Sequence, residues 1–423
     1  MRRSQQTQRK LHRTASGTIR PVDIQPRSGP LVGVRVVELG GIGPGPFAAM
    51  LLADLGADVV RVERPGGNPM APAPPAYDLL TRGRPSVALD LKHADGPGVV
   101  LDLVARSDVL VEGFRPGVTE RLGIGPDECH AVNPALVYGR MTGWGQDGPL
   151  AQTVGHDLTY LAVTGALHAV GEAGRRPQPP LNLLADFGGG GTYLTVGVLA
   201  ALLEARTSGR GQVVDAAVVD GTAHLTTMIV GMLAAGWWQD RRGGNVLDGS
   251  APFYTTYTCA DGLDLAVAPM EPPYWAAFVA GLDLAAGDLP DRDDPAQWPA
   301  LRGALAARIV ARPRPEWLDV FDGTDACVVA VLSLGEAPTH PHLAARRTYV
   351  EHAGVVQPAP APRFSRTPGA LGAPPPRAVG ADTRTALTAW GVGDVEQLLA
   401  SGAAVQVDGD GPAPTGIYAH RSP

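Results

Sequence analysis

Three features of the sequence point to an α/β protein with a large parallel sheet and a smaller α+β domain. A β-branched run at 34–39 leads through a Gly/Pro-rich turn and an apolar helix to a second β-branched run at 57–63. That is a βαβ unit in about thirty residues, which implies parallel strands and a right-handed crossover. Short apolar strands continue to alternate with helices to about residue 217. Past a polar, Gly-rich stretch at 237–250, the texture changes to paired strands, acidic Pro-rich loops and helices, the pattern of an α+β domain.

In order, Val34 to Leu39 reads as a buried strand, Gly40 to Pro46 as a turn, Phe47 to Leu55 as a helix and Ala57 to Glu63 as a strand. Ser86–Asp90, Val109–Glu112 and Leu136–Met141 read as further strands, with a helix at 95–106. The run Gly188 to Gly191 reads as the start of a helix over 192–206, and a second long helix spans about 218–235. Phe253 to Val267 reads as two strands joined by the Ala260-Asp261-Gly262 turn; 356–378 is Pro-rich and extended, and 383–401 is a last helix.

Composition narrows the function. At 423 residues, 44% hydrophobic and 18% charged, the chain has room for two or three domains with a real core and is too apolar to be disordered. The net charge of −7 argues against nucleic acid as a general partner. Residues 1–28 hold seven basic groups and the single acid Asp23, so an arm of +6 precedes a body of −13. The arm lacks an apolar h-region and so does not read as a secretory signal; a transit peptide or a disordered extension stays open, the extension being the plainer reading. Cys129, Cys259 and Cys327 lie far apart and fit neither metal nor disulfide spacing, so a cytoplasmic location and no metal are expected. The longest apolar runs, near 194–203 and 228–238, are too short to span a bilayer, so no membrane partner is expected.

Gly43-x-Gly45-x-x-Ala48 follows a strand, and Glu63 ends the next one, which satisfies a dinucleotide fingerprint in a Rossmann-like domain. Pro44 and Pro46, however, lack the N–H groups such a loop aims at a pyrophosphate, so a structural strand-to-helix turn fits better. Arg64, Arg82, Arg84 and Arg115 stand near strand ends. They suit an anionic ligand or, on spacing alone, a solvated surface. His156-Asp157 and Asp186 before the glycine run read either as helix caps or as acid–base groups on separate loops. Gly188 and Gly189 would let a ligand approach the backbone closely.

Longer motifs carry a resemblance. The opening Leu31 to Leu39, the Gly-Pro-Gly-Pro turn, Arg140-Met141-Thr142-Gly143-Trp144-Gly145-Gln146, Gly155-His156-Asp157, Asn182 to Gly190, Gly211 to Ala217 and Pro362 to Thr367 resemble family III CoA-transferases, the CaiB/BaiF superfamily. Within it they are most similar to the α-methylacyl-CoA racemases. The likeness runs from about residue 30 to 401. It implies a Rossmann-like large domain built from both chain ends, a small inserted domain and an interlocked homodimer. The domain boundaries then read as a disordered basic extension at 1–29, the large domain at 30–217, a linker helix and loop at 218–250, the small domain at 251–345, and a return to the large domain with a tail at 346–423.

The resemblance also implies a chemistry: a 2-methylacyl-CoA thioester loses its α-proton to one base and regains one on the other face, without a cofactor beyond the CoA of the substrate. The bases match His156 and Asp186, Glu271 matches the partner of the His, and the Asp157 N–H faces the oxyanion. Tyr160 and Asn182 match pocket positions. Arg64 and Arg115, with Arg82 or Arg84, match the nucleotide end of CoA. Transferases of the superfamily use an Asp nucleophile at the position of Asp157, so CoA transfer through an aspartyl anhydride stays open, as does acyl-CoA binding without turnover. After Glu271 this chain has Pro272-Pro273-Tyr274 where the family has Gln-Phe-Tyr, which leaves the acyl group unassigned.

Overall fold

The structure is a computed structural model and describes residues 26–70 and 73–410, together with Ile19 and Val22. Most of the expected extension at 1–29, and the tail beyond 410, lie outside the described residues.

The first βαβ unit forms from β1 (Arg35–Leu39), α1 (Pro44–Asp54) and β2 (Asp58–Glu63). The Gly-Pro-Gly-Pro segment is not a turn before the helix but its first turn. Pro at the start of a helix costs nothing, because those N–H groups have no intrahelical acceptor and φ is already set. Gly43, at φ 72°, makes the entry in a left-handed conformation that glycine adopts freely. The chain continues through β3 (Ser86–Leu89), α2 (Gly96–Val104), β4 (Val109–Glu112), α3 (Pro126–Val132), β5 (Val137–Thr142), α4 (Asp157–Val163), α5 (Thr192–Ser208) and β6 (Val213–Ala217). The six strands lie in the order β3-β2-β1-β4-β5-β6, all parallel. The order reverses between β1 and β4, which is where ligands bind outside the strand carboxyl ends of open α/β sheets.

The sequence places a helix start at the four glycines; the structure instead winds Leu183–Gly191 as a π-helix that runs into α5. Added Cβ atoms show why glycine stands there: at Gly189 one would lie 2.3 Å from Thr222 Oγ1, and at Gly191 2.7 Å from the Pro44 carbonyl. The run is a packing seam against α1 and against α6 (Val218–Leu225). Together Leu183–Ser208 make 26 helical residues, long and apolar enough by composition to cross a membrane, longer than the 194–203 run suggests. In this fold Leu194, Val198, Ala201 and Leu202 are buried, with α5 packed on β5 and β6.

The expected helix at 218–235 is two, α6 and α7 (Thr227–Ala234). A separate unit comprises Gly165–Pro180 and Thr226–Ala337. Its sheet joins β7 (Thr255–Thr258), β8 (Asp264–Val267) and β9 (Val328–Ala330), all antiparallel. Helices α8 (Pro272–Gly281), α9 (Trp298–Ile309) and α10 (Arg314–Phe321) enclose a core that includes Phe278, Leu301, Leu305, Ile309 and Trp317. The boundaries thus differ from the sequence reading: 165–180 leaves the large domain, 218–225 stays in it, and the return begins at Pro338. Apolar patterning marks cores, but it does not say which core a short loop segment joins.

From Pro338 the chain rejoins the first unit. A hairpin of β10 (Tyr349–His352) and β11 (Val355–Pro358) takes up the start of the stretch read as extended. The last helix divides into α11 (Thr383–Ala389) and α12 (Val395–Ser401), separated by a segment containing Gly391 and Gly393. β12 (Ala404–Val405) then pairs antiparallel with β3 at the sheet edge. Leu387, Trp390 and Val395 share one core with Val37, Val60, Leu103 and Leu110. Both ends of the chain therefore build the large sheet.

Candidate active site

A cavity of about 690 Å³ opens at the carboxyl ends of β1, β4 and β5, lined among others by Gly43, Arg115, His156, Asp157, Tyr160, Asn182 and Asp186. Each residue arrives by a different route. His156 is the residue before α4, and its backbone N–H donates to Thr159 Oγ1 at 3.0 Å. Its ring is left exposed. Asp157 opens α4, and as the first helical residue its own N–H has no intrahelical acceptor. Asp186 sits on the π-helix, half-buried, with its carboxyl over the Gly43 turn. A Cβ at Gly43 would lie 3.1 Å from Asp186 Oδ2.

Asp157 and Asp186 are coupled. Asp157 Oδ1 accepts the backbone N–H of Asp186 at 2.8 Å, which ties α4 to the π-helix. Burial pushes the Asp186 carboxyl up to about 7, with the charge of Asp157 adding to it. Asp157 is itself raised by burial, against the lowering effect of the Asp186 N–H. Tyr160 is pushed up to about 12 by burial and by Asp186. Its ring meets Trp144 edge-on at 4.8 Å and fills space that only glycine leaves open at Gly143 and Gly155, where a Cβ would lie 2.0 and 2.4 Å from the ring. Phe187 stacks on Phe47 at 4.5 Å, fixing the other side of Asp186.

The remaining sequence-expected residues are distributed unevenly. Arg115 is exposed at the cavity and Arg64 is exposed in an adjoining cavity that shares Gly41 and Ile42, with its Nε donating to the Gly67 carbonyl at 2.6 Å. Arg82 and Arg84 do not serve as surface groups for an anion. Arg82 is buried on Asp54 (2.6 Å) and Gln357 (3.0 Å). Arg84 is fully buried on Glu38 at 2.6 Å. A guanidinium inside a core needs a carboxylate, and α1 and β1 supply them. Glu63 is likewise engaged, accepting from Ser86 Oγ at 2.6 Å and pairing with Arg61. That spends the acid of the dinucleotide fingerprint. Gly189 is buried in the helix seam, its open side filled by Thr222; Gly188 is half-buried beside it. Glu271 belongs to the other unit, where it precedes α8 as its cap residue.

Two carboxylates at strand ends went unread in the sequence. Glu38 is buried between Arg61 and Arg84. Glu112 is buried on Arg140 at 3.0 Å, and burial pushes it up to about 7 despite the Phe114 N–H and Arg140. The signal was present: each acid stands at or next to the end of a β-branched, apolar run, and each faces an Arg on the neighbouring strand, Glu38 opposite Arg61 and Glu112 opposite Arg140. An acid inside a doubly covered parallel strand demands such a partner.

The sequence profile of CoA-transferase family III matches residues 31–383. The chain belongs to that family. Among curated relatives it is 45% identical over 369 residues to the α-methylacyl-CoA racemase of Mus musculus, covering 87% of this chain and 95% of the relative. It is 44% identical to the human α-methylacyl-CoA racemase, covering 80% and 87%. The acetyl-CoA:oxalate CoA-transferase of Acetobacter aceti is 30% identical, covering 78% and 88%. Among solved structures, a CaiB/BaiF family protein from Brucella suis superposes with a TM-score of 0.76 at 26% identity, covering 86% of this chain and all of that one.

Proposed function

We propose that this chain is an α-methylacyl-CoA racemase, an isomerase that interconverts (2R)- and (2S)-2-methylacyl-CoA thioesters by proton transfer between two bases. The reading is carried by Asp186, whose carboxyl is held at about 7 by burial and by Asp157 in the same cavity as His156. A base near neutrality serves both directions, because it is half-ionised where the enzyme works. The thioester acidifies the α-proton; one of the two groups removes it to give an enolate-like intermediate, and the other returns a proton to the opposite face. The Asp157 N–H at the start of α4 donates to the thioester oxygen as negative charge develops. Arg64 and Arg115 hold the anionic end of CoA. Glu271 matches the residue that the family resemblance gives as the partner of the His, and an interlocked homodimer belongs to the same proposal. No cofactor besides the CoA of the substrate takes part.

What favours racemisation over transfer through Asp157 is the presence of His156 and Asp186 in the same cavity; a transferase has no need of them as bases. Incubation of (2R)- or (2S)-2-methylacyl-CoA in D2O tests the proposal. Deuterium is expected at C2 from either epimer; His156→Ala and Asp186→Ala are each expected to lose its entry from the epimer whose proton the missing base removes, and both to lose racemisation. No exchange with several chain lengths, or racemisation retained in both variants, overturns it. An acyl group trapped on Asp157 by hydroxylamine identifies a transferase instead.

A further inference from the structure

The loop that carries Arg115 is braced from both sides. At its start Glu112 Oε2 accepts the Phe114 N–H at 2.6 Å, while Oε1 accepts Arg140 Nε at 3.0 Å. Arg140 in turn reaches Glu120 at 2.9 Å and anchors the carboxylate to β5. At its end the Pro116 carbonyl accepts Gln152 Nε2 at 3.2 Å, and the segment from Ala151 leads directly to His156. Gly113, Phe114, Arg115 and Pro116 all line the cavity. Arg115 has no ion-pair partner among the described residues and is exposed. Its direction is therefore set by its backbone, and its backbone by Glu112. A buried carboxylate that accepts at both oxygens, one of them from a guanidinium, is held in a fixed geometry, so it is well suited to hold a loop that a flexible ligand would otherwise have to order.

We propose that Glu112 is a positioning residue for substrate recognition: through the Phe114 N–H it aims Arg115 at the phosphate-bearing end of the acyl-CoA. The inference rests on the reading of Arg115 as a CoA contact. The hydrogen bonds of Glu112 go to Phe114 and Arg140, not to His156 or Asp186. Loss of Glu112 acts on binding of the phosphate end and leaves the chemical step alone. Gln at this position keeps the shape but cannot accept from Phe114 and Arg140 together, because one end of the amide is a donor.

The test uses two substrates and two sites. For Glu112→Gln, CoA binding by calorimetry and KM for a 2-methylacyl-CoA are expected to weaken about tenfold with kcat within about threefold. The same variant is expected to turn over a 2-methylacyl thioester of N-acetylcysteamine, which lacks the phosphates, like the unmodified enzyme. Arg115→Ala is expected to weaken CoA binding, and the double variant to be no weaker than Arg115→Ala alone, the non-additivity of two groups acting as one. If Glu112→Gln slows the truncated thioester as much as the full one, or adds its whole effect to Arg115→Ala, the positioning role is overturned. If Arg115→Ala binds CoA normally, the assignment of Arg115 falls, and the proposal with it. Should Glu112→Gln fail to fold, Gln152→Ala removes the opposite, exposed brace of the same loop. It is expected to raise KM for the CoA substrate alone, and an unchanged KM overturns the proposal.

Discussion

Asp186 is made a base by its surroundings, and the same surroundings set a stability cost. Its folded-state value of about 7 lies above the ordinary 3.8, so the folded protein keeps a proton that the unfolded chain releases between those values. Stability contributed at this site is present below about pH 4 and falls as pH rises through 7. Asp186→Asn cannot ionise and is expected to melt higher than the unmodified protein at pH 8 by about 2 kcal/mol, the full shift being discounted for solvent screening, and alike near pH 4. Thermal melts across that range check it. The same carboxyl enters the rate. No proton is taken up overall when one epimer becomes the other, so their equilibrium is independent of pH and kcat/KM for both is expected to follow one common profile, with an inflection near 7 where Asp186 titrates. Initial-rate profiles without an inflection near 7 would contradict Asp186 as one of the bases.

At the scale of elements, the site is held by charged pairs at the carboxyl ends of parallel strands. Glu38 and Glu112 lie on opposite faces of the sheet, since Glu38 alternates with the core residues Val37 and Leu39 whereas Glu112 shares the face of Leu110. Glu38 joins β1 to Arg61 on β2 and to Arg84 just ahead of β3, while Arg61 also donates to the Gly41 carbonyl at 2.9 Å in the loop that lines both cavities. Removing the charge from one member of such a set strands the others. Glu38→Gln leaves the fully buried Arg84 without its carboxylate and is expected to cost about 3–5 kcal/mol, read as a lowered midpoint in urea with unchanged slope. The glycine seam works alongside: a Cβ at Gly221 would lie 1.9 Å from the Gly189 carbonyl, so the close approach of α6 is what sets the height of the π-helix bearing Asp186.

Across the whole chain, the large sheet depends on residues about three hundred positions apart. Ser86 N donates to Asp382 at 3.0 Å, Ala88 N to Thr383 at 3.0 Å, and β12 caps the edge of β3. A chain ending at residue 380 loses Ala386, Leu387, Trp390, Val392 and Val395 from the central core and uncovers the apolar face they protect. Expressed alone, it is expected to aggregate or to bind a hydrophobic dye without a cooperative melt. A soluble, sharply melting fragment would show that the return segment is dispensable. The small unit carries its own core around Phe278 and Trp317, and the sequence reading of a separate α+β domain reflects that independence.

Strand and helix periodicity, the turn residues and the longer motifs were legible in order along the chain, because they rest on neighbours a few residues apart. They were enough for the parallel sheet, the family resemblance, and His156, Asp157 and Asp186 as candidates. Three matters belonged to the tertiary structure alone. Arg82 and Arg84 read as surface cations until Asp54 and Glu38 were seen to bury them. The four glycines read as room for a ligand until Thr222, Pro44 and Val218 were seen to fill it. Asp186 read as a helix cap or an acid–base group, and only burial beside Asp157 raised it to about 7. Each turns on which distant group comes to lie against a side chain. Local pattern carries propensity, whereas desolvation and charge pairing exist only once the chain has closed on itself.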